Sequence, residues 1–366
     1  MKARPRRRRA PFAVQAARRA TGIRIDPAHL HLTLRLPAPG ARPIASGGRW
    51  GIVLGGGGVL GSAWLIGALT ALEEHRGLDA RDADLIIGTS AGSVIGALLA
   101  AGISVAEQRK QQLGGDTPPF GRRIQHFFDP DRPVGRSAPS MPKLRPGGVP
   151  MLRTHRKTLH ELPFITVLAG LAPIGRQRMS GVRALVEAAV PPGEWLPDDR
   201  YRAVALDYDS GNRVQFGAPG APAVGLSDAV LASCAIPGWF EPVDLLGRRY
   251  VDGGMWSNSN ADLAAGAGLD EVFVLAPMFS AVYDEPGDWR ARTERRIRVL
   301  STRRVLNEAR LVQRAGATVT VLGPGPDDLR LIGHNLMAPS RRRLVLSSAI
   351  RSARMALGEP AVPPDE

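Results

Sequence analysis

The chain has one cysteine, Cys234, so no intramolecular disulfide is open to it and its fold rests on packing and hydrogen bonds. Lysine is nearly missing: of 48 basic residues only Lys2, Lys110, Lys143 and Lys157 are lysines. Aromatic residues are scarce, at 5%. No uninterrupted apolar run of about 18 residues occurs, which argues against a membrane-spanning helix. The first residues carry charge but no apolar stretch of signal-peptide length before Arg18-Arg19. These gaps lead us to expect a cytoplasmic protein that meets membranes from outside the bilayer. A disulfide-stapled scaffold and a helical channel are both disfavoured.

What is present describes a folded body with an appended arm. The hydrophobic share of 44% is that of a globular protein, and 366 residues suffice for one large α/β domain. Residues 1–50 hold 12 basic residues against Asp26, a net +11 of the total +14, so the remainder is close to neutral. A basic arm can dock on anionic lipid, and a solvated tail is the alternative. We do not expect nucleic acid as a partner.

Apolar patterning follows the rhythm of a parallel sheet covered by helices. Residues 29–36 alternate, with Leu30, Leu32, Leu34 and Leu36 on one face, as in a half-buried strand. His29 and His31 lie on its other face and have no metal-ligand company. Trp50–Leu54 and Asp84–Gly88 read as buried strands, each followed by a helical pattern. Residues 114–180, rich in Pro, Gly and Arg, read as a lid-like insertion. Strands are expected near 201–208, 214–217, 249–251, 271–276 and 318–322, with helices near 228–234, 290–315 and 341–357. The organisation expected is an arm over 1–49 with a possible extra strand, a catalytic domain over 50–280, and a packed extension over 281–366.

Three motifs carry chemistry. Gly88-Thr89-Ser90-Ala91-Gly92 is a G-x-S-x-G set between a strand and a helix, the setting that lifts a serine above a sheet for nucleophilic attack. Its small neighbours Gly88 and Gly92 let the backbone turn sharply. Gly55-Gly56-Gly57-Gly58-Val59-Leu60-Gly61 also joins a strand to a helix. Gly56, Gly58 and Gly61 satisfy a dinucleotide fingerprint, but the next strand ends in Gly88-Thr89-Ser90 rather than in a ribose-binding acid. Ser62 follows Gly61 without the lysine of a phosphate loop. The reading that remains is an oxyanion hole built from backbone N–H groups of Gly56, Gly57, Gly58, Val59 and Gly61. Asp252-Gly253-Gly254 places a carboxylate at a strand end, where it can act as a base.

Taken in order with the segment Ser233–Val243 and with Asn258, these motifs resemble the patatin-like phospholipase family over roughly residues 50–280. The resemblance implies a three-layer α/β/α fold with a parallel-rich central sheet. It implies hydrolysis of lipid fatty-acyl esters by a dyad of Ser90 and Asp252, supported by Gly253, Gly254 and Asn258, with no metal or organic cofactor. Leu60 departs from the pattern, since many members carry Arg or Lys there. His334 follows Asp252 as a hydrolase triad expects and is the alternative base. Cys234 is read as a packed thiol. Two other readings stay open: a thioesterase or non-lipid esterase with the same dyad, and a non-catalytic lipid-binding protein on this scaffold.

Overall fold

Residue alternation along each strand decides the layers. Ile52 and Leu54 pack into one hydrophobic cluster while Val53 joins a second on the opposite face; Ile86 and Ile87, Ala203 and Val204, and Phe273 and Val274 divide in the same way. A sheet apolar on both faces needs helices on both. The computed structural model describes residues 33–115, 143–159, 162–280 and 289–358.

The strands are β1 (Thr33–Leu36), β2 (Trp50–Leu54), β3 (Leu85–Thr89), β4 (Lys143–Pro146), β5 (Pro173–Ile174), β6 (Tyr201–Asp207), β7 (Arg213–Phe216), β8 (Val243–Leu245), β9 (Arg248–Asp252), β10 (Glu271–Leu275) and β11 (Thr318–Leu322). The α-helices are α1 (Gly58–Arg76), α2 (Ala91–Ala100), α3 (Val105–Gln112), α4 (Val149–Thr154), α5 (Phe164–Leu171), α6 (Ser180–Glu187), α7 (Leu226–Cys234), α8 (Trp289–Arg314), α9 (Pro326–Ile332) and α10 (Arg342–Leu357). Helices α1, α2, α7 and α10 fill the first cluster, and α8 with residues 261–264 fills the second. Each fully buried Leu or Ile in these layers contributes about 1.5–3 kcal/mol. Helix α10 approaches α1 so closely that a Cβ at Gly67 would sit 2.7 Å from that of Ala349.

The main sheet has nine strands in the order β1-β11-β10-β2-β3-β6-β9-β8, with β7 paired to β6 off that path. Strands β11, β10, β2, β3 and β6 are mutually parallel, whereas β1, β7, β8 and β9 pair antiparallel with their neighbours. The strand expected over 29–36 is present from Thr33, and its first four residues lie outside those described. Of the 114–180 insertion, the described parts form α4, α5 and the β4–β5 pair.

One detail of register sets the site. Strand β3 pairs with β6 from Ile86↔Tyr201 to Thr89↔Val204, and β9 takes over from Ala205↔Asp252 to Asp207↔Tyr250. Strand β7 spans Ala203 to Leu206, so it occupies the other edge of β6. Strands β3 and β9 therefore lie end to end on one edge. As β3 is parallel and β9 antiparallel to β6, they run towards each other and their C-terminal ends meet.

Candidate active site

Ser90 is the first residue past β3 and caps α2 with φ 52° and ψ −121°, a positive-φ conformation that a non-glycine residue adopts at a cost of about 1–3 kcal/mol. Neighbouring structure holds it there. Its N–H donates to Ser233 Oγ at 2.9 Å, and Ser233 in turn donates to the Val204 carbonyl at 2.6 Å. Its carbonyl accepts from Ser93 Oγ at 2.7 Å and from the Ser93 amide at 2.8 Å. The flanking glycines permit the turn: a Cβ at Gly88 would lie 2.5 Å from Ser93 Cα, and one at Gly92 would collide with the Leu54 carbonyl.

Asp252 ends β9 against this turn. Its carboxylate accepts a hydrogen bond from the Gly254 amide at 2.7 Å and stands beside the Ser90 side chain. Only 2% of the residue is exposed. Burial pushes its pKa up to about 6, against the smaller downward pull of the Ser90 hydroxyl and the Gly254 amide. Both following glycines are needed sterically: a Cβ at Gly253 would strike the Val204 carbonyl, and one at Gly254 would sit 2.9 Å from Asp252 Oδ1.

The glycine loop lies over the same point. A Cβ at Gly56 would come within 3.2 Å of Ser90 Cβ. The loop's amides are not equivalent. Gly56 N–H donates to the Asn258 carbonyl at 2.7 Å, Leu60 N–H to the Leu336 carbonyl at 2.9 Å, and Gly61 N–H to Gly57 at 2.9 Å. None of the hydrogen bonds described between elements engages the amides of Gly57, Gly58 and Val59 at the start of α1. Gly58 has φ +63°, and any Cβ there would meet Met337 Sδ at 2.9 Å. Leu60 is fully buried in the core, which explains how an apolar side chain stands where many members carry a cation.

Two residues with no role assigned from the sequence tie these parts together. Ser233, on α7, is the bridge between Ser90 and β6 described above. Asn260, itself at φ 52°, donates from Nδ2 to Thr89 Oγ1 at 3.0 Å and to the Ser257 carbonyl at 2.6 Å, linking the serine turn to the segment after Asp252. The signal for Asn260 was its residue type, since Asn is enriched in the left-handed region. Asn258 brings its carbonyl to Gly56 and its Nδ2 to Ser301 Oγ at 3.3 Å.

A cavity of about 120 Å³ opens beside Ser90, walled by Val94, Val182, Leu185, Ile236 and Phe240 with Gly58 and Val59 at its rim. Cys234 also lines it, with its thiol 3.7 Å from Ser93 Oγ. His334 is exposed on the turn after α9, and no hydrogen bond brings it to Ser90 or Asp252. His29 and His31 lie outside the described residues. No described helix is long and apolar enough to cross a membrane.

Comparison with known proteins follows the same outline. Among solved structures, that of VipD from Legionella pneumophila is similar at a TM-score of 0.40 and 15% identity, over 89% of this chain and 70% of that one. The sequence model described as Patatin-like phospholipase matches residues 52–265, more than half of the chain, from within β2 to past Asn260. The chain therefore belongs to the patatin-like phospholipase family, and is a lipid hydrolase by that membership.

Proposed function

We propose that the chain cleaves fatty-acyl esters of phospholipids or related lipids through an acyl-enzyme on Ser90, with Asp252 as the base. The observation that carries this reading is the meeting of β3 and β9, which sets Ser90 beside a carboxylate made more basic by burial. During attack on the ester carbonyl, Ser90 Oγ bonds to carbon and its proton passes to Asp252. Protonated Asp252 then delivers that proton to the departing alkoxide. In the second half, Asp252 takes a proton from water as the water attacks the acyl-enzyme, and returns that proton to Ser90 Oγ as the bond to the acyl carbon breaks and the fatty acid leaves.

The negative charge on the tetrahedral oxygen falls to the amides of Gly57, Gly58 and Val59 and to the positive end of α1. Gly56 and Gly61 serve the loop's shape instead, because their amides are already engaged. The apolar cavity beside Ser90 accommodates acyl chain. Of the 114–180 insertion, Met179 lines this cavity, and the arm over 1–49 adds charge for anionic membranes.

A fluorophosphonate probe tests the assignment. Wild-type protein is expected to label on Ser90, and Ser90→Ala to lose both labelling and hydrolysis of a p-nitrophenyl ester with an unchanged circular dichroism spectrum. Near-wild-type turnover by purified Ser90→Ala would overturn it. His334→Ala is expected to keep full turnover; a dead His334 variant would replace the dyad with a triad.

A further inference from the structure

Helix α8 has an unusual distribution of charge. Its two acids from Arg292 onward, Glu294 and Glu308, are buried at 8% and 5% exposure. They are spent internally: Glu294 pairs with Arg295 and Arg298, and Glu308 accepts from Ser259 and from Arg304 at 3.3 Å. Every exposed charge along the same stretch is an arginine: Arg292, Arg296, Arg303 and Arg314. At 100° per residue these four fall within one narrow stripe. Beside it runs an apolar stripe of Ile297, Leu300 and Leu311, exposed at 44%, 57% and 49%.

The apolar stripe faces a second exposed apolar surface. Helix α5 presents Phe164 at 75% exposure, Ile165 at 37% and Leu168 at 50%, and contains no charged residue. The two helices flank a groove of about 640 Å³. Its floor is Trp256, with the Arg213 and Arg304 guanidinium groups 5.2 and 5.4 Å from the ring. Arg213 is committed to Asp262 at 2.6 Å, so the acids lining the groove are neutralised within it.

We propose that this face, α5 with the outer side of α8, docks the enzyme on a bilayer containing anionic lipid. Large exposed apolar residues rimmed by arginine suit the boundary between acyl chains and headgroups, where apolar side chains insert and cations meet phosphate. A second copy of the chain is a poorer occupant, because a symmetric contact would bring two arginine stripes together. The face is also wired to the catalytic end of the sheet. Thr166 of α5 donates to the Met255 carbonyl, three residues past Asp252, and the groove reaches Gly254 and Asn258. Docking there sets the lipid surface against the turn that carries the base. The choice of lipid as partner rests on the lipid-hydrolase reading; the surface itself does not.

Vesicle co-sedimentation of the full chain tests it, with phosphatidylcholine vesicles made with and without phosphatidylglycerol. Phe164→Ser with Leu168→Ser is expected to weaken binding to both by about tenfold or more. Arg296→Gln with Arg314→Gln is expected to weaken binding to the anionic vesicles alone, roughly twentyfold at low salt, the effect shrinking as salt is raised. None of the four lines the cavity beside Ser90, so turnover of a soluble p-nitrophenyl ester is expected to stay at the wild-type rate. Unchanged vesicle binding by both pairs would overturn the proposal. So would a wild-type dimer in sedimentation velocity that the apolar pair converts to monomer without loss of vesicle binding. An inactive wild type that still bound vesicles through this face would sink the hydrolase reading and leave the docking surface standing.

Discussion

Asp252 and Asp207 sit two register steps apart on paired strands, Asp252 opposite Ala205 and Asp207 opposite Tyr250. Each is 2% exposed. Their acidities nevertheless move in opposite directions. Burial pushes both up, but in Asp207 it is outweighed by the Ser210 and Asp209 amides, each 2.9 Å from Oδ1, and by Arg248 at 2.8 Å from Oδ2. The Arg248 side chain is 62% exposed, so Asp207 lies just under the surface. Asp252 lies deep, with one amide and the Ser90 hydroxyl, and rises to about 6. Equal loss of solvent contact gives an anchored anion in one case and a basic carboxylate in the other. Depth and the number of donors make the difference.

Exchanging each for its amide is the strongest way to break that comparison. Asp252→Asn is expected to lose on the order of a thousandfold or more in kcat, since an amide cannot accept the Ser90 proton. It should not lower thermal stability at pH 8, because it removes a buried charge. Asp207→Asn should do the reverse, keeping turnover near wild type while losing about 1.5–3 kcal/mol of stability at neutral pH. Initial rates and thermal melts on both variants decide it; a large activity loss in Asp207→Asn would erase the distinction.

The comparison sharpens with pH. In the proposed dyad Asp252 acts as a base only when ionised, so kcat/KM for a soluble ester is expected to fall about tenfold per unit below a midpoint near pH 6. An ordinary carboxylate would place that limb near 4. Stability should run the other way. The folded state holds the Asp252 proton more tightly than the unfolded chain, so this residue costs on the order of 3 kcal/mol as pH rises from about 4 to above 6. Asp207, lowered in the fold, contributes stability above its unfolded value that is lost as pH falls through its folded value. The stability gap between Asp252→Asn and wild type should thus be wider at pH 8 than at pH 4. A gap that stayed constant would mean Asp252 titrates as in the unfolded chain.

Much of this was legible from the chain because the physics is local. Strands β2, β3 and β10 are largely apolar runs, as strands covered on both faces must be, and glycines mark where β2 and β3 turn into α1 and α2. Helix α3 was not legible: its sequence VAEQRKQQ has no apolar period, and a Ser104–Glu107 capping box starts it while Gln108, Gln111 and Gln112 are buried. The end-to-end meeting of β3 and β9 was also hidden, since it depends on pairing with a third strand more than a hundred residues beyond Ser90. The glycine loop was legible as a unit but not amide by amide. Which donors are engaged depends on carbonyls of Asn258 and Leu336, distant in sequence.

The smallest expected effect concerns Cys234, which shares the cavity wall with Ser90. A thiol is intrinsically a better nucleophile than a hydroxyl, so its neighbourhood with a basic carboxylate raises the question of which group reacts. Burial pushes the Cys234 thiol up to about 12, and the Asp252 charge adds to the rise. Asp252 thus acts oppositely on its two neighbours. In the proposed dyad it receives the Ser90 proton, whereas its negative charge opposes a thiolate on Cys234, whose sulfur lies 3.7 Å from Ser93 Oγ. At pH 8 a thiol of that acidity is ionised in only about one molecule in ten thousand, and the thiolate is the reactive form. Iodoacetamide at pH 8 is therefore expected to leave ester hydrolysis intact over a time that alkylates free cysteine completely, and Cys234→Ala to keep near-wild-type turnover. Rapid inactivation by iodoacetamide, absent in Cys234→Ala, would show that the thiolate forms beside Asp252 and that the site is less desolvated than a carboxylate raised to about 6 requires.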